Sequence, residues 1–372
     1  MASLPARLAV AALLLLLFAC TSGDPVRERE AAPEHDELTA AIAEFGEPFY
    51  EFDQLRAVLV ADDEDVLFEQ YYETGEDAYW GMQSVTKSVV STLVGIALGE
   101  GLIGSLDDTL GDMLPRYADV MSPRTAGITL RQLLTMSAGL PSGDDVTGPE
   151  FLRSEDWVRH IVTHPELPPG QRFLYSNATS HLLSAILSEK TGEPALHYAR
   201  SRLFDPLGID TTPALVRVDG MSRERAMEEY DEAGFAWPAD PQGVSTGWWG
   251  LRLRPRDMVR FGQLFLAEGV WDGERLVPAD WVEEATREQV AATDGLLDGY
   301  GFQWWTTQTD GEHSFQAIGY GGQHIVVLPS RRLVVVTATE VRQADPSSHG
   351  IDNQVLTGMI EHLVASRFPP PS

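Results

Sequence analysis

Residues 84–98 read SVTKSVVSTLVGIAL, a stretch in which a single lysine lies among apolar and small side chains. Apolar and small residues recur at helical spacing and end at Gly99 and Gly101, which predicts a helix. A helix places Lys87 about one turn after Ser84 on the same face, and its N-terminus supplies free N–H groups and partial positive charge near Ser84. A lysine in apolar surroundings loses proton affinity and can act as a neutral base near pH 7. The alternative, a capping serine and a surface lysine, must explain a lysine within an apolar run.

The composition indicates an acidic globular protein and excludes several classes of function. The 372 residues include 56 Asp and Glu against 27 Lys and Arg, a formal net charge of -29, and they are 43% hydrophobic, enough to bury a sizeable core. Such negative charge argues against nucleic-acid binding, which requires clustered Lys and Arg. The single cysteine excludes a disulfide framework and a cysteine-rich metal site.

Apolar runs and turn signals over residues 38–368 predict one domain with strands at both ends and helices between them. Residues 58–60 and 66–68 flank an acidic turn and predict a β-hairpin. Further helices are predicted at 129–136, 157–164, 177–191, 194–203, 256–266, 278–287 and 351–366, and late strands at 302–305, 314–318, 324–328 and 333–339. We therefore expect an α+β fold, with one antiparallel sheet flanked by helices beside a helical subdomain at about 96–255, and a cleft between the two.

A second motif strengthens the interpretation of Ser84. Tyr175-Ser176-Asn177 forms a Y-x-N pattern, for which chance gives about 0.05 occurrences, against about 0.12 for the S-x-x-K at residues 84–87. If independent, the two arise together less than about once in a hundred such chains. Their joint presence is informative where either motif alone is only suggestive.

A G-x-S-x-G pattern at residues 243–247 competes with this assignment, because it matches the nucleophile elbow of α/β-hydrolases. About 0.2 such matches are expected by accident. An elbow requires a buried strand before the serine and a helix after it, whereas residues 239–242 and 248–250 have the composition of loops. We therefore reject Ser245 as the nucleophile.

Together, the motifs S-x-x-K (Ser84, Lys87) and Y-x-N (Tyr175, Asn177) resemble those of the serine β-lactamase and penicillin-binding-protein superfamily. Residues 133–140 and 168–173 also resemble its class C, DD-peptidase, esterase and 6-aminohexanoate-dimer hydrolase branch, and the likeness covers roughly residues 50–365. The resemblance implies a β-lactamase-like fold with Ser84 as nucleophile and Lys87 with Tyr175 as general base. Asn177 would orient the substrate and the lysine, and no metal or organic cofactor is implied.

The third element of this superfamily is a K-T-G on a late strand, and two stretches compete for it. The literal Lys190-Thr191-Gly192 ends a predicted helix, where Gly192 is interpreted as a C-terminal cap. The stretch Ala317-Ile318-Gly319 is the better counterpart, because it lies on a predicted strand. Members that act on β-lactams usually present Lys or His at its first position, so alanine there favours an esterase or amidase with a less anionic substrate.

By the same resemblance, the N–H groups of Ser84 and Tyr320 form the oxyanion hole. Gly319 and Gly321 flank Tyr320, and glycines allow a backbone to approach a substrate closely. The alternative interpretation of these residues is a glycine-rich hairpin turn.

Three other groups of residues are weighed as sites. His160 and His164 are spaced as in H-E-x-x-H, but isoleucine replaces the glutamate and no third ligand is evident, which favours a solvated helix face over zinc. The pairs at 248–249 and 304–305 are tryptophans that fit a substrate wall or, more simply, core packing. The acidic residues at 62–65 lack the spacing of a calcium loop.

The first twenty residues predict export. Arg7 and an apolar run too short to span a bilayer resemble a signal peptide over residues 1–19. Cys20 follows directly, and residues 17–20 (LFAC) resemble the bacterial lipobox. We expect a lipidated Cys20, a flexible linker over residues 20–37, and a protein anchored to the cell membrane facing the periplasm or the exterior. Plain export without the lipid is the alternative.

The sequence therefore predicts a serine hydrolase that cleaves ester or amide bonds of a small or peptide-like substrate through an acyl-enzyme on Ser84. Two alternatives stay open. One is a β-lactamase or DD-peptidase that acts on penicillins or peptidoglycan, and the other is a non-catalytic, penicillin-binding-like sensor.

Overall fold

The structure is a computed structural model that describes residues 33–46, 52–140, 149–164, 167–216, 222–293, 296–309, 311–345 and 347–368. Its strands are β1 (Leu55–Ala61), β2 (Val66–Tyr71), β3 (Trp80–Gly81), β4 (Arg252–Leu253), β5 (Val270–Trp271), β6 (Glu274–Arg275), β7 (Val290–Ala291), β8 (Gly299–Tyr300), β9 (Trp305–Thr309), β10 (Glu312–Gly319), β11 (Gln323–Leu328) and β12 (Leu333–Thr339). Eight of these strands form one antiparallel sheet in the order β2-β1-β12-β11-β10-β9-β8-β7.

The sheet is built from both ends of the chain, as the sequence predicts. Strand β1 lies between β2 and β12, so that Val60 pairs with Phe68 on one side and with Val335 on the other. The predicted hairpin of β1 and β2 is therefore confirmed. The acidic turn between them is closed by the Asp62 carboxylate, which accepts hydrogen bonds from the N–H groups of Glu64 and Asp65.

Helices cover both faces of this sheet, which confirms the predicted fold class. The helices are α1 (His35–Gly46), α2 (Val85–Gly99), α3 (Leu110–Met113), α4 (Pro123–Ala126), α5 (Leu130–Leu134), α6 (Pro149–Arg153), α7 (Trp157–Val162), α8 (Asn177–Thr191), α9 (Ala195–Ala199), α10 (Arg223–Glu232), α11 (Pro255–Leu266), α12 (Ala279–Thr286) and α13 (Asn353–Arg367). Val326 and Val335 pack toward α1 and α13, whereas Ile325 and Val334 pack toward α11 and α2. Successive side chains of β11 and β12 point to opposite faces of the sheet, and both faces are buried.

Helix α2 lies at the centre of the domain and positions the site. It packs against β10 and β11 on one side and against α8 and α9 on the other. Its residues from Val85 to Ala97 are all buried, the pattern of a core helix rather than a surface helix. Ser84 precedes the first residue of α2, where the sheet meets the helical segment α3–α10.

The structure differs from the predicted elements in three places, where the backbone conformation or the polar composition cannot be inferred from an apolar pattern. The strand predicted at 302–305 begins only at Trp305, because Gln303 adopts a left-handed φ of 62° that interrupts an extended backbone. Helix α10 was not predicted, since its sequence is almost entirely polar and charged. The helix predicted at 194–203 is divided in the structure. Its first part is the α-helix α9, and its second part is a π-helical turn, Arg200–Phe204.

Helix α1 begins at His35, inside the segment predicted as a flexible linker over residues 20–37. Its residues Leu38, Ala41 and Ile42 are buried against the sheet, so the folded part of the chain starts a few residues before the predicted boundary at 38. The predicted signal peptide and Cys20 lie outside the described residues. No helix in the described part of the chain is long and apolar enough to span a membrane.

Candidate active site

The first feature of the site is the pair formed by Ser84 and Lys87. Lys87 Nζ lies 2.8 Å from Ser84 Oγ, one turn apart on α2. The Ser84 side chain makes no capping hydrogen bond with the helix, and Ser84 is partly exposed. Lys87 is only 1% exposed. A capping serine and a surface lysine are therefore both ruled out, and the serine hydroxyl is available to the lysine.

The partners of Lys87 favour an uncharged amine. Nζ lies 2.8 Å from Asn177 Oδ1 and 3.3 Å from the carbonyl oxygen of Trp248, and both of these atoms only accept hydrogen bonds. The hydrogen bonds given for Lys87 within the described residues go to Ser84, Asn177 and Trp248, none of which supplies a carboxylate, and burial lowers the pKa of Lys87 well below its ordinary value. A neutral amine donates its two hydrogens to Asn177 and Trp248. In that form the nitrogen lone pair is free to accept a hydrogen bond from the Ser84 hydroxyl, which lies 2.8 Å away.

Tyr175 is the second titratable group beside Ser84. Its ring centroid lies 4.7 Å from Lys87 Nζ, and its phenol hydrogen-bonds with Ser84. Burial raises the pKa of Tyr175 to about 12, although the hydrogen bond with Ser84 acts in the opposite direction. At neutral pH the phenol is protonated, so Lys87 is the better proton acceptor and Tyr175 can donate.

The end of β10 approaches the residues that precede Ser84. A Cβ atom on Gly319 would collide with the backbone carbonyl of Met82, so only glycine permits this approach. Tyr320 follows immediately, and its side chain is 56% exposed. Gly321 adopts a φ of 79° in the turn to β11, which glycine accommodates without strain. The tight approach brings Tyr320 beside the start of α2, and the oxyanion hole stays a prediction.

Gln83 precedes Ser84 in a conformation that the sequence does not reveal. It is a non-glycine residue with a left-handed φ of 49° and is 8% exposed. Such conformations are uncommon for residues with a side chain and cluster at functional sites. Here the bend turns the backbone from β3 into the first turn of α2, where Thr86 N–H donates to the Gln83 carbonyl oxygen at 3.1 Å.

Comparison with known proteins agrees with this geometry. The model of the Beta-lactamase family matches residues 53–356. The chain belongs to the beta-lactamase family. It is 24% identical over 379 residues to the 6-aminohexanoate-dimer hydrolase of Paenarthrobacter ureafaciens, covering 95% of this chain and 89% of the relative. It is 26% identical over 321 residues to penicillin-binding protein 4 of Amycolatopsis lactamdurans, covering 80% of this chain and 81% of the relative.

Solved structures of this fold match as well. A penicillin-binding protein homologue from Caulobacter crescentus aligns with a TM-score of 0.66 and 19% sequence identity, covering 91% of this chain and 99% of the other. The predicted relationship to the serine β-lactamase and penicillin-binding-protein superfamily is thus confirmed. Membership of the beta-lactamase family supports serine-hydrolase chemistry in general, on a small-molecule or peptide substrate.

The competing motifs of this beta-lactamase-family protein have structural roles. Ser245 is 2% exposed, and its hydroxyl accepts a hydrogen bond from the Leu196 N–H at 3.3 Å. Gly192 ends α8 with a φ of 76°, so the literal K-T-G at residues 190–192 is a helix C-terminus, as predicted. Among the residues that the structure describes, no group of three or more His, Cys, Asp or Glu side chains could hold a metal ion.

The carbonyl of Trp248 is a site group that sequence reasoning missed. Its loop is fixed to α8 by His181, whose Nε2 lies 3.3 Å from Asp240 Oδ2 and whose ring packs edge-on against Trp248 at 5.3 Å. The other oxygen of Asp240 accepts hydrogen bonds from the N–H groups of Gln242 and Val244. A backbone carbonyl has no signal in a sequence, because any residue would provide it. Its position here depends on a buried contact between distant segments.

Proposed function

We propose that the protein is a serine hydrolase that cleaves an ester or amide bond of a small substrate through an acyl-enzyme on Ser84. The proposal depends above all on one observation, the 2.8 Å between Lys87 Nζ and Ser84 Oγ. The buried amine, held by two acceptors and lowered in pKa, supports a base that is neutral when the serine attacks.

Acylation follows from these positions. Ser84 Oγ forms a bond to the substrate carbonyl carbon as its proton moves to Lys87 Nζ. The backbone N–H groups of Ser84 and Tyr320 stabilise the oxyanion. When the bond to the leaving group breaks, the proton passes from Lys87 by way of the Tyr175 phenol to the leaving oxygen or nitrogen.

Deacylation repeats the sequence with water. Lys87 and Tyr175 take a proton from a water molecule as its oxygen bonds to the acyl carbon, and the ester bond to Ser84 Oγ then breaks. The proton returns to Ser84, which regenerates the free hydroxyl and releases a carboxylic acid. No cofactor is needed for either half of this cycle.

The proposed substrate is an ester or amide without a carboxylate near the scissile bond. Ala317 is buried against the core beside α2, and Ile318 is buried with Trp305, so neither residue presents a positive charge to a bound substrate. The relatives include both a 6-aminohexanoate-dimer hydrolase and a penicillin-binding protein. Hydrolysis or stable acylation by penicillins is therefore the main alternative to test.

Fluorophosphonate labelling with mass-spectrometric mapping of the adduct tests the nucleophile. We expect the wild type to be labelled at Ser84, the Ser84→Ala variant to be unlabelled, and Ser245→Ala to be labelled like the wild type. Labelling at Ser245, or none in an intact protein, would contradict the proposal; the second outcome would favour a non-catalytic sensor. A panel of p-nitrophenyl esters, peptides and β-lactams then separates esterase, peptidase and β-lactamase activities.

A further inference from the structure

Two adjacent tryptophans at the start of β9 lie on opposite faces of the sheet. Trp304 packs in the main core, where its ring centroid lies 4.5 Å from Phe265 and 5.4 Å from Phe315. Trp305 packs on the other face, against the ring of Tyr175, with centroids 5.5 Å apart and planes inclined by 21°. Trp304 therefore belongs to the main core, and Trp305 belongs to the surroundings of the candidate active site.

Trp305 belongs to a small aromatic cluster, which we define as Phe173, Tyr175, Tyr300 and Trp305. Tyr300 meets Trp305 edge-on at 4.8 Å and Tyr175 edge-on at 6.3 Å, and Phe173 packs against Trp305 at 5.7 Å. Trp305 is 4% exposed. A side chain this buried is not a wall for the substrate. On the side of the candidate site it contacts Tyr175 and is buried with Ile318 of β10.

The stacking acts on the orientation of the Tyr175 ring. The hydrogen bond with Ser84 fixes the position of the phenol oxygen, but the ring can still turn about that point. Lys87 Nζ, 4.7 Å from the ring centroid, is compatible with several ring orientations. Tyr300 and Phe173 also contact the ring, with centroids at 6.3 and 6.5 Å, but the nearly parallel indole of Trp305, at 5.5 Å, is the nearer contact and the one that selects among these orientations. Trp305 also pairs with Gln316 of β10, the strand that ends at Gly319.

We propose that Trp305 is a positioning residue for the proton transfers at Ser84: its indole holds the Tyr175 ring so that the phenol stays within hydrogen-bond reach of the serine oxygen. This inference rests on the proposed function, in which Tyr175 relays the proton. Misplacement of a catalytic group by about 1 Å can reduce a rate by about 100-fold. We therefore expect loss of the stacking to slow the chemistry more than it weakens substrate binding.

The test compares Trp305→Leu and Trp305→Phe with the matched variant Trp304→Leu in the full chain. The readouts are the second-order rate of fluorophosphonate labelling at Ser84, kcat and KM for p-nitrophenyl acetate, and the melting temperature. For Trp305→Leu we expect labelling and kcat to fall by about 10- to 100-fold, with KM changed by less than about threefold. Trp305→Phe, which keeps a flat ring, recovers most of the rate. Trp304→Leu melts earlier but keeps the labelling rate of the wild type.

The pH dependence of kcat/KM distinguishes a positioning role of Trp305 from a merely structural role, which would leave it unchanged. When the Tyr175 ring turns away after loss of the indole, water enters the space beside Lys87 that the ring now fills, which weakens the effect of burial on the amine. The ascending limb of kcat/KM therefore moves to higher pH in Trp305→Leu and stays in place in Trp304→Leu. If Trp305→Leu does not fold, Trp305→Met is compared with Trp305→Phe, and we expect the Met variant to be at least about tenfold slower.

Two failures are distinguishable. If the wild type is not labelled at Ser84, the proposed function is wrong. If the wild type is labelled at Ser84, but the Leu and Met variants keep its rate and pH profile, the positioning role alone is wrong. A rise in KM at unchanged kcat would also overturn it, because Trp305 would then be part of a substrate-binding wall.

Discussion

The side-chain oxygen of Asn177 lies 2.8 Å from Lys87 Nζ, which joins the first residue of α8 to the buried lysine of α2. Asn177 is thus close enough to influence the protonation of Lys87 as well as its orientation. The carbonyl of Trp248 is the second acceptor for the amine, at 3.3 Å. Because neither acceptor carries a negative charge, burial is the dominant effect and holds the pKa of Lys87 well below its ordinary value.

Replacing Asn177 by aspartate places a negative charge beside Lys87. An opposite charge at this distance favours the ammonium form and raises the pKa of a lysine by about 1–3 units. We expect the ascending limb of the pH–rate profile of Asn177→Asp to move to higher pH, with a loss of activity of about 10-fold or more at pH 7. The same change at Asn353, at the start of α13, is the control and leaves the limb unchanged. Identical profiles for Asn177→Asp and the wild type would argue against Lys87 as the base.

Removing the lysine separates catalysis from stability. Burial lowers the pKa of Lys87 in the folded state, whereas the unfolded chain binds the proton up to the ordinary lysine pKa. The unfolded state therefore holds more protons between these two values, and the stability of the wild type rises with pH through that interval. We expect Lys87→Met to lose labelling at Ser84 and to be more stable than the wild type near pH 7. Urea titrations should show this advantage shrinking as the pH approaches about 10.5; an advantage independent of pH would contradict the argument.

Gly319 allows β10 to approach the start of α2, and a methyl group there tests that contact. Gly319→Ala forces the backbone away from the Met82 carbonyl, with an expected loss of stability of about 1–3 kcal/mol. It also displaces the N–H of Tyr320, so we expect labelling at Ser84 to slow by about 100-fold. Gly75→Ala is the control, because the added Cβ meets open space and the expected change in stability is within about 0.5 kcal/mol. Normal labelling of Gly319→Ala would place the oxyanion hole elsewhere.

The side chain of Gln303 connects two helices beneath the site, α5 and α8. Its amide donates to the carbonyl oxygens of Leu133 and Leu134 at 3.2 and 2.9 Å and accepts from the Ser180 hydroxyl at 2.7 Å, all in a residue that is 2% exposed. Gln303→Ala removes these three hydrogen bonds and leaves the buried Ser180 hydroxyl without its acceptor, and we expect a loss of about 2–4 kcal/mol in urea unfolding. Gln316, equally buried, has a side-chain oxygen with no hydrogen-bond partner in the structure. Gln316→Met should therefore cost less than Gln303→Ala, and equal losses would refute the role of the hydrogen bonds.

The lipid anchor stays a prediction that needs the exported protein. If residues 1–19 are removed and Cys20 is modified, the mature protein recovered from bacterial membranes carries a lipid mass on an N-terminal Cys20. Cys20→Ser should then be released from the membrane fraction by mild washing. A wild-type protein without a lipid mass would leave plain export as the explanation.

Much of the fold could be predicted because the strongest patterns in the sequence come from burial. The predicted bounds of α8 and β12 agree with the structure residue for residue, since residues 178–187 of α8 and every residue of β12 are buried. The start of β9 could not be predicted, because the left-handed conformation of Gln303 depends on its buried partners. Helix α10 has few apolar residues, so its sequence lacks the periodic apolar pattern that predicts a helix.

The same distinction applies to the candidate site. Four site residues could be predicted, because each is a rare or chemically specific residue within a short motif: Ser84, Lys87, Tyr175 and Asn177. The structure places them in contact. The carbonyl of Trp248 became visible only after distant segments were folded together. The support of Tyr175 by Trp305 also depends on the sheet, because only the pleat decides which of two adjacent tryptophans faces the site.

The pairing of β1 with β12 affects how the chain is synthesised and folded. Strand β1 ends at Ala61 and its partner begins at Leu333, so at about 5–20 residues per second a ribosome needs roughly 15–55 s to supply the missing neighbour. During that time one edge of the β1–β2 hairpin has unpaired backbone groups, and such edges promote association between chains. The other pairings of the sheet join strands that are neighbours in sequence, so β1–β12 is the one that requires a long loop to close, and such non-local pairing slows folding. Completion of this domain is thus a late event, governed by the arrival of its C-terminal strands.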